Sequence, residues 1–173
     1  VSSTHAAADI EAFRQGIGAP KVWLYGESYG TQLMQTYATL YPQAIRGLIL
    51  DGVVDLTLDA QGFYKTSTLA AEGLLDATFA ACDRLATCHQ DMGGNAAAVH
   101  DALALRLREG PIPVPLTLAD GSREDRLLTG AILETNAFYA LYSPEGRAEY
   151  LRALAAAGRG DLGPMLQLGY VNL

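Results

Sequence analysis

The first third of the chain alternates between runs of apolar residues and stretches with helical spacing. Residues 9–16 have the spacing of an amphipathic helix, and residues 21–25 then form a short, almost wholly apolar run. Helical spacing returns over residues 31–40 and is followed by a second apolar run at residues 45–50. Continuous apolar runs of this length are typical of parallel strands that are buried on both faces. The pattern therefore predicts one strand–turn–helix–strand crossover.

The rest of the chain has a different pattern, in which alanine and leucine recur mainly at helical spacing. Helices are predicted at residues 69–81, 96–108, 130–142 and 144–157, and Asp161 is placed to cap a last short helix. No second strand–helix–strand unit is visible. The sequence therefore predicts a partial α/β core over residues 1–55 and a mainly helical region over residues 56–173.

A proline-rich segment interrupts these helices. Its prolines keep residues 110–115 extended and outside any helix interior. The pair Asp120-Gly121 is a turn signal that would join short strands at residues 114–118 and 126–128. We therefore expect a small hairpin between two helical parts.

Composition and charge exclude several classes of function. Half of the residues are apolar, which is enough for a domain with a core, and the net charge of −7 argues against nucleic acid or an anionic membrane as the main partner. No apolar run approaches the roughly 20 residues of a membrane span. Two cysteines and three histidines do not provide four well-spaced ligands, so we expect no zinc site. The sequence implies no other metal and no organic cofactor.

One motif carries chemistry. Residues 26–30 read Gly-Glu-Ser-Tyr-Gly, a G-x-S-x-G motif between a predicted strand and a predicted helix. This is the context of a nucleophile elbow, in which side chains at Gly26 and Gly30 are expected to collide with the neighbouring backbone. The motif predicts Ser28 as the nucleophile and the backbone N–H of Tyr29 as an oxyanion donor at the helix N-terminus. The alternative is a glycine-bounded turn in which the serine only caps the helix.

The partners that a catalytic serine needs are not evident. A serine requires a histidine base and a carboxylate that orients it, in the order Ser, Asp or Glu, His. His5 precedes the motif, at the start of a helix. His89 and His100 lie in the helical region and follow no sheet strand, so they are expected to be surface residues rather than triad members. Asp51 and Asp55 follow the second strand, but Asp51 is more simply explained by a turn. We expect this chain alone to be inactive, with the missing acid and histidine in another segment of the protein or in a partner chain.

The spacing of the two cysteines leaves their state open. Cys82 and Cys88 are six positions apart, which is about 9 Å along one helix and exceeds the roughly 7 Å Cα limit for a disulfide. A bridge requires the helix to end between them, near residues 83–87. Two ordinary thiols are the alternative.

The first part of the chain resembles a known family. Residues 9–14, 21–30 (KVWLYGESYG), 31–42 (TQLMQTYATLYP) and 45–54 (IRGLILDGVV) resemble the secreted tripeptidyl aminopeptidases, which belong with the prolyl aminopeptidase-like α/β-hydrolases. The resemblance implies an α/β fold, here a fragment of an α/β-hydrolase sheet followed by a helical cap. It also implies that the acid and the histidine lie in a C-terminal segment beyond the cap.

The resemblance extends to activity and setting. It implies a serine hydrolase that removes short peptides from free N-termini through an acyl-enzyme at Ser28. A secreted or periplasmic location is also implied, although no signal peptide is visible in residues 1–20, and that setting favours a Cys82–Cys88 bridge. In such enzymes cap carboxylates hold the ammonium group of the peptide, and Glu134 is the candidate here. A solvent-exposed helix position is the alternative for Glu134.

Two other functions remain open at this stage. An esterase would use the same serine chemistry and differ only in the shape of its pocket. A non-catalytic binding protein of the same ancestry would explain the absent histidine directly. A glycine-rich oxyanion loop upstream, with Asp and His after two later strands, would exclude the non-catalytic alternative.

The predicted fragment of a sheet has a physical consequence. Two strands alone leave edges unpaired and apolar faces uncovered, so we expect the isolated chain to dimerise, aggregate or require further segments. Analytical ultracentrifugation tests this expectation. A monodisperse monomer that unfolds cooperatively would contradict it.

Overall fold

The computed structural model describes residues 2–117 and 121–171, and the chain forms two compact units, Val1–Lys65 and Thr66–Leu173. The elements of the first unit are helix α1 (Ser3–Gly16), strand β1 (Val22–Glu27), helix α2 (Tyr29–Leu40), a 3-10 turn (Pro42–Ala44) and strand β2 (Ile45–Asp51). Helix α3 (Ala60–Arg84) begins before the boundary at Lys65.

Strands β1 and β2 form a two-stranded parallel sheet, with α2 as the crossover between them. Their register runs from Val22 opposite Ile45 to Glu27 opposite Asp51, with one irregularity after Val22. This confirms the predicted strand–turn–helix–strand unit. Helix α1 packs against α2, and α2 packs against both strands. The buried apolar residues of this unit are Ala7, Leu24, Met34, Tyr37 and Ala44.

The prediction that both faces of the first strand are buried is wrong. Leu24 and Gly26 point to the covered face, whereas Trp23 is 65% exposed and Tyr25 is 58% exposed. Within residues 2–65 the helices cover one face of the sheet, which leaves the other face to solvent. On that open face the Trp23 ring lies across Gly47, where a Cβ atom would meet the ring at 2.0 Å.

The second unit is mainly helical. Its elements after α3 are α4 (Ala86–Met92), α5 (Ala96–Glu109), β3 (Ile112–Thr117), β4 (Arg123–Leu128), α6 (Gly130–Ala140), α7 (Pro144–Gly158) and α8 (Gly163–Val171). Helix α7 packs against α4, α5, α6 and α8. Small buried residues along it, such as Ala153 and Ala157, allow this close approach. Among the described residues, no helix is both long and apolar enough to cross a membrane.

The hairpin forms as the turn signal predicts. Strands β3 and β4 pair in antiparallel register, from Ile112 opposite Leu128 to Thr117 opposite Arg123. Leu118 and Asp120, which belong to the predicted strand and turn, lie outside the described residues. Prolines at alternate positions of β3 are accommodated because this strand pairs on one edge only.

Helix ends differ most from the sequence prediction in α3. This helix begins at Ala60, nine positions before the predicted start, where the Asp59 carboxylate accepts a hydrogen bond from the Gly62 N–H at 2.7 Å. Helix α4 was not predicted, and α6 ends at Ala140, before the predicted end at residue 142. Asp161 accepts a hydrogen bond from the Gly163 N–H at 3.0 Å, as a cap of α8 would.

A disulfide joins Cys82 to Cys88, with their Cα atoms 5.1 Å apart. Helix α3 ends at Arg84 and α4 begins at Ala86, so the chain turns at Leu85 between the two cysteines. That break in the helix brings together two residues that a continuous helix would separate.

A buried carboxylate fastens α1 to α2. Glu11 is 8% exposed and accepts hydrogen bonds from Arg14 at 2.7 and 2.8 Å, from the Tyr37 hydroxyl at 2.7 Å and from Gln15 at 2.7 Å. Arg14 also donates to the carbonyls of Ala19 and Pro20, just before β1. The hydrogen bonds from Arg14, then that from Tyr37, lower the pKa of Glu11 from 4.5 to about 2.

This pKa predicts a pH dependence of stability. Because the pKa of Glu11 is lower in the folded protein than in the unfolded chain, its carboxylate stabilises the fold above pH 4.5, and this stabilisation is lost as the pH falls towards 2. We expect Glu11→Gln to lower the midpoint of thermal unfolding at neutral pH. Below pH 4.5 the midpoint of this variant should change less with pH than that of the wild type. Glu72→Gln, at an exposed position of α3, is the control. Parallel pH profiles for wild type and Glu11→Gln would contradict the assignment.

Candidate active site

Ser28 is the single residue between β1 and α2. Its backbone angles are φ 52° and ψ −120°, and it is the only non-glycine residue with positive φ in the described part of the chain. A side chain held in such a region costs about 1–3 kcal/mol, and strain of this kind concentrates at functional sites. The sharp turn leaves Ser28 exposed.

The hydroxyl of Ser28 is not used to cap α2. The helix has no side-chain cap hydrogen bond from this residue. The simpler alternative, in which the serine only caps the helix, is therefore wrong. The Ser28 backbone is held from two sides instead: its N–H donates to the Asp51 carbonyl at 2.9 Å, and its carbonyl accepts from the Thr31 N–H at 2.9 Å.

The two motif glycines do not have the same role. A Cβ atom at Gly26 would lie 2.4 Å from the Gly30 carbonyl oxygen and 2.8 Å from the Met34 side chain, so only glycine fits there. At Gly30 nothing lies within 4 Å of a Cβ atom, and the predicted collision at this position is wrong. The crowding arises at the strand, where the first turn of α2 approaches β1.

Tyr29 is the first residue of α2, so its backbone N–H has no acceptor within the helix. Its phenol oxygen is 2.9 Å from the Ser3 hydroxyl oxygen. The backbone N–H is the group that the sequence predicts as an oxyanion donor, and this role stays a prediction.

An open cleft of about 530 Å³ lies beside Ser28 and within the first unit. The loop after β2 and the start of α3 form much of its wall. The residues that line it are Ser28, Tyr29, Gln32, Val54, Asp55, Leu56, Leu58, Asp59, Ala60, Phe63 and Tyr64. The lining combines the candidate nucleophile with two carboxylates and several apolar side chains, which suits a ligand of mixed polarity.

The carboxylates after β2 have local partners. The Asp51 side chain accepts a hydrogen bond from the Tyr25 hydroxyl at 3.3 Å, and Gly52 follows with φ 63°, as in a strand-ending turn. Asp55 accepts from the Thr57 hydroxyl at 2.6 Å and from the Thr57 N–H at 2.8 Å. These hydrogen bonds, the hydroxyl first, lower the pKa of Asp55. Asp55 is therefore anionic at neutral pH.

The three histidines of the sequence have partners other than Ser28. His5 Nδ1 is 2.9 Å from the Ser2 hydroxyl oxygen, and His89 Nδ1 is 3.8 Å from an Asp83 carboxylate oxygen. His100 Nδ1 is 2.7 Å from the Tyr150 hydroxyl oxygen.

His100 is not the surface residue that the sequence predicts. It is half-buried and packs against the Phe79 ring, with centroids 5.3 Å apart. Burial lowers the pKa of its imidazole, so it is mainly neutral at pH 7. Its hydrogen bond to the buried Tyr150 belongs to the core of the second unit.

Glu134 lies exposed on α6 in the second unit. Burial, and then the charge of Glu134, raise the pKa of Tyr150. Within the described residues no group of three histidine, cysteine, aspartate or glutamate side chains is arranged to hold a metal ion.

Sequence reasoning missed Thr31 and Asp59. Both are polar residues whose side chains bond to backbone groups: Thr31 reaches across to the loop after β2, and Asp59 begins α3. The spacing Asp-x-x-Gly before a helical run is a signal for the second. No local signal predicts the first, because its partner Val54 is 23 positions away.

Comparisons with known proteins agree with this geometry. The family model described as alpha/beta hydrolase fold matches residues 2–89. Serine protease Hip1 of Mycobacterium tuberculosis (strain ATCC 25618 / H37Rv) is 41% identical over 59 residues, which are 34% of this chain and 11% of Hip1. Tripeptidyl aminopeptidase of Streptomyces lividans is 34% identical over 59 residues, with the same shares. YuaR of Escherichia coli (strain K12) is 31% identical over 116 residues, which are 65% of this chain and 23% of YuaR.

Each match covers a larger share of this chain than of the relative. The chain spans about a tenth of the length of Hip1 and of the aminopeptidase, and about a quarter of the length of YuaR. The match to the family model covers just over half of the chain and includes Ser28, Tyr29 and the loop after β2.

The unequal crowding of the two glycines yields a test. Gly26→Ala should lower the free energy of unfolding by about 1–3 kcal/mol, because its methyl group meets backbone atoms that cannot move freely. Gly30→Ala is the matched control and should be neutral or stabilising by up to about 1 kcal/mol, because Gly30 lies in open space on a helix. Thermal or urea unfolding measures both. Equal effects of the two substitutions would contradict the described packing.

Proposed function

This chain belongs to the α/β-hydrolase family, and we propose that the protein is a serine hydrolase whose nucleophile is Ser28. The observation that carries the proposal is the strained backbone of Ser28, which stands alone among the described non-glycine residues and exposes the hydroxyl beside a 530 Å³ cleft. Backbone strain of this kind clusters at active sites, which supports a catalytic role for this serine.

The proposed chemistry is acyl transfer. The Ser28 oxygen attacks the carbonyl carbon of the substrate and gives up its proton to a base, and the negative charge on the carbonyl oxygen is stabilised by the Tyr29 N–H. The carbon–nitrogen bond then breaks, and the amine leaves with that proton. Water then attacks the resulting ester and gives a proton to the base, and this proton passes to the Ser28 oxygen as the acid is released.

We propose that the base is none of the three histidines described above. The partner of His5 is Ser2, just before α1, and the partners of His89 and His100 lie in α3 and α7. We therefore keep the proposal that a histidine and its carboxylate are contributed by another segment of the protein or by a partner chain.

We propose peptides with free N-termini as the substrate class. The names of two relatives, a serine protease and a tripeptidyl aminopeptidase, support peptide-bond hydrolysis. Two carboxylates, Asp55 and Asp59, line the cleft beside Ser28, and their charge favours a substrate that carries an ammonium group. Separately, the resemblance to aminopeptidases supports the proposal that Glu134 binds the ammonium group of the peptide.

The second unit is proposed to be the cap of the enzyme. Its mainly helical composition supports this role. Its disulfide supports a secreted or periplasmic setting, since such bonds persist mainly in oxidising compartments.

The test is covalent labelling of the longest natural form of the protein and, separately, of this chain with a fluorophosphonate probe. Mass spectrometry should locate the label on Ser28 in the long form, and Ser28→Ala should abolish it. Ser67→Ala, at an exposed serine of α3, should label like the wild type. We expect no label on this chain alone, because its base is supplied elsewhere. Absence of label from both forms would leave a non-catalytic binding protein as the better explanation.

Competition with the same probe tests the substrate class. Tripeptides with a free N-terminus should slow labelling of the long form, and their N-acetylated counterparts should not. Glu134→Gln should weaken the competition by free peptides, with Glu72→Gln as its control. Equal competition by free and acetylated peptides would contradict the proposed substrate class. Competition by simple esters alone would support an esterase instead.

A further inference from the structure

Thr31 is a fully buried polar residue one helical turn after Ser28, with 0% of its surface exposed. Its hydroxyl makes two hydrogen bonds. It donates to the Ser28 carbonyl at 2.7 Å and accepts from the Val54 N–H at 2.9 Å. One side chain of α2 therefore links the turn that carries Ser28 to the loop that follows β2.

Gln35 strengthens this link from the next turn of α2. Its side-chain amide donates to the Thr31 carbonyl at 3.1 Å and to the Val54 carbonyl at 3.0 Å. Both backbone groups of Val54 are thus bound to α2, and Val54 and Asp55 both line the cleft. We use the term elbow latch for this set: Thr31, Gln35 and the backbone of Val54.

The elbow latch acts on the peptide group that joins Ser28 to Tyr29. This group is planar and trans, so its carbonyl and its N–H point in opposite directions. The Ser28 carbonyl is held by the Thr31 hydroxyl and the Thr31 N–H. The Tyr29 N–H at the other end is therefore fixed to point away from Thr31.

We propose that Thr31 is a positioning residue, which orients the Tyr29 N–H as an oxyanion donor and holds the strained backbone of Ser28. This inference rests on the proposed role of Ser28 as the nucleophile. Thr31 does not touch the substrate. It acts through the peptide group between Ser28 and Tyr29. Through its hydrogen bond to Val54 it also holds the wall of the cleft in place relative to Ser28.

The rate of the covalent step distinguishes a positioning role of Thr31 from a purely structural one. If Thr31 only stabilised the fold, its loss would lower the unfolding midpoint and leave the reactivity of the folded molecules unchanged. If it orients the donor, its loss slows the covalent step itself, while the affinity for the probe changes little.

The experiment compares Thr31→Val with Thr31→Ser in the longest natural form of the protein. Valine has the shape of threonine without the hydroxyl, and serine keeps the hydroxyl. We expect Thr31→Val to lower the maximal rate of fluorophosphonate labelling about 10-fold, because two hydrogen bonds that hold the peptide group and the loop are lost. Thr31→Ser should keep the wild-type rate. The half-saturating probe concentration should stay within about twofold in both.

Thr78→Val is the matched control. Thr78 is also buried, but its hydroxyl donates within its own helix, to the Leu74 carbonyl at 2.8 Å. This variant should shift the unfolding midpoint without changing the labelling rate of the folded protein. All rates are measured well below the unfolding midpoint of each variant.

The outcomes separate this inference from the proposed function. If the wild type does not label at Ser28, the proposed function fails. If the wild type labels and Thr31→Val labels at the same rate, the elbow latch has no role in positioning. Should Thr31→Val not fold, Thr31→Ala provides the test, because it removes the same two hydrogen bonds of the hydroxyl without placing a methyl group against the Ser28 carbonyl. A reduced rate in Thr31→Ala supports the inference, and an unchanged rate overturns it.

Discussion

The strained backbone of Ser28, with its positive φ, is the constraint on which the rest of the first unit depends. The chain reverses from β1 into α2 within this one residue, so the first turn of the helix packs closely against the strand. That approach leaves no room for a side chain at Gly26. It also brings the Ser28 N–H against the Asp51 carbonyl, so the end of β2 supports the conformation of the turn. The parallel pairing of the two strands is therefore part of what holds the candidate nucleophile in place.

The local parts of this arrangement could be predicted from the sequence, and the non-local parts could not. The position of Ser28 between a strand and a helix follows from the period of the apolar residues and from the motif, both of which are short-range signals. The contact between Thr31 and Val54 depends on how the crossover returns, which no local pattern specifies. The crowding at Gly26 rather than at Gly30 likewise depends on which backbone the helix approaches.

The errors of the sequence prediction have a common physical origin. An apolar run such as residues 21–25 indicates which side chains a strand can bury. Which of its faces is buried depends on the helices that pack on it. The expectation for His100 failed in the same way. An imidazole on a helix was expected at the surface, and the Tyr150 hydroxyl and the Phe79 ring provided a half-buried site for it instead. The start of α3 has a different origin, because the Asp59 cap is a local signal that lies outside the apolar helical spacing.

The open face of the sheet gives this protein a built-in spectroscopic reporter. Trp23 is the only tryptophan of the sequence, and its indole lies exposed across Gly47 on that face. Indole emission shifts to shorter wavelength when the ring passes from water to an apolar surface. Fluorescence excited at the tryptophan band therefore reads out, without any added dye, whether a further strand, a helix or a second molecule has come to cover the sheet. The emission wavelength of this one residue thus reports on the sheet that carries the candidate nucleophile.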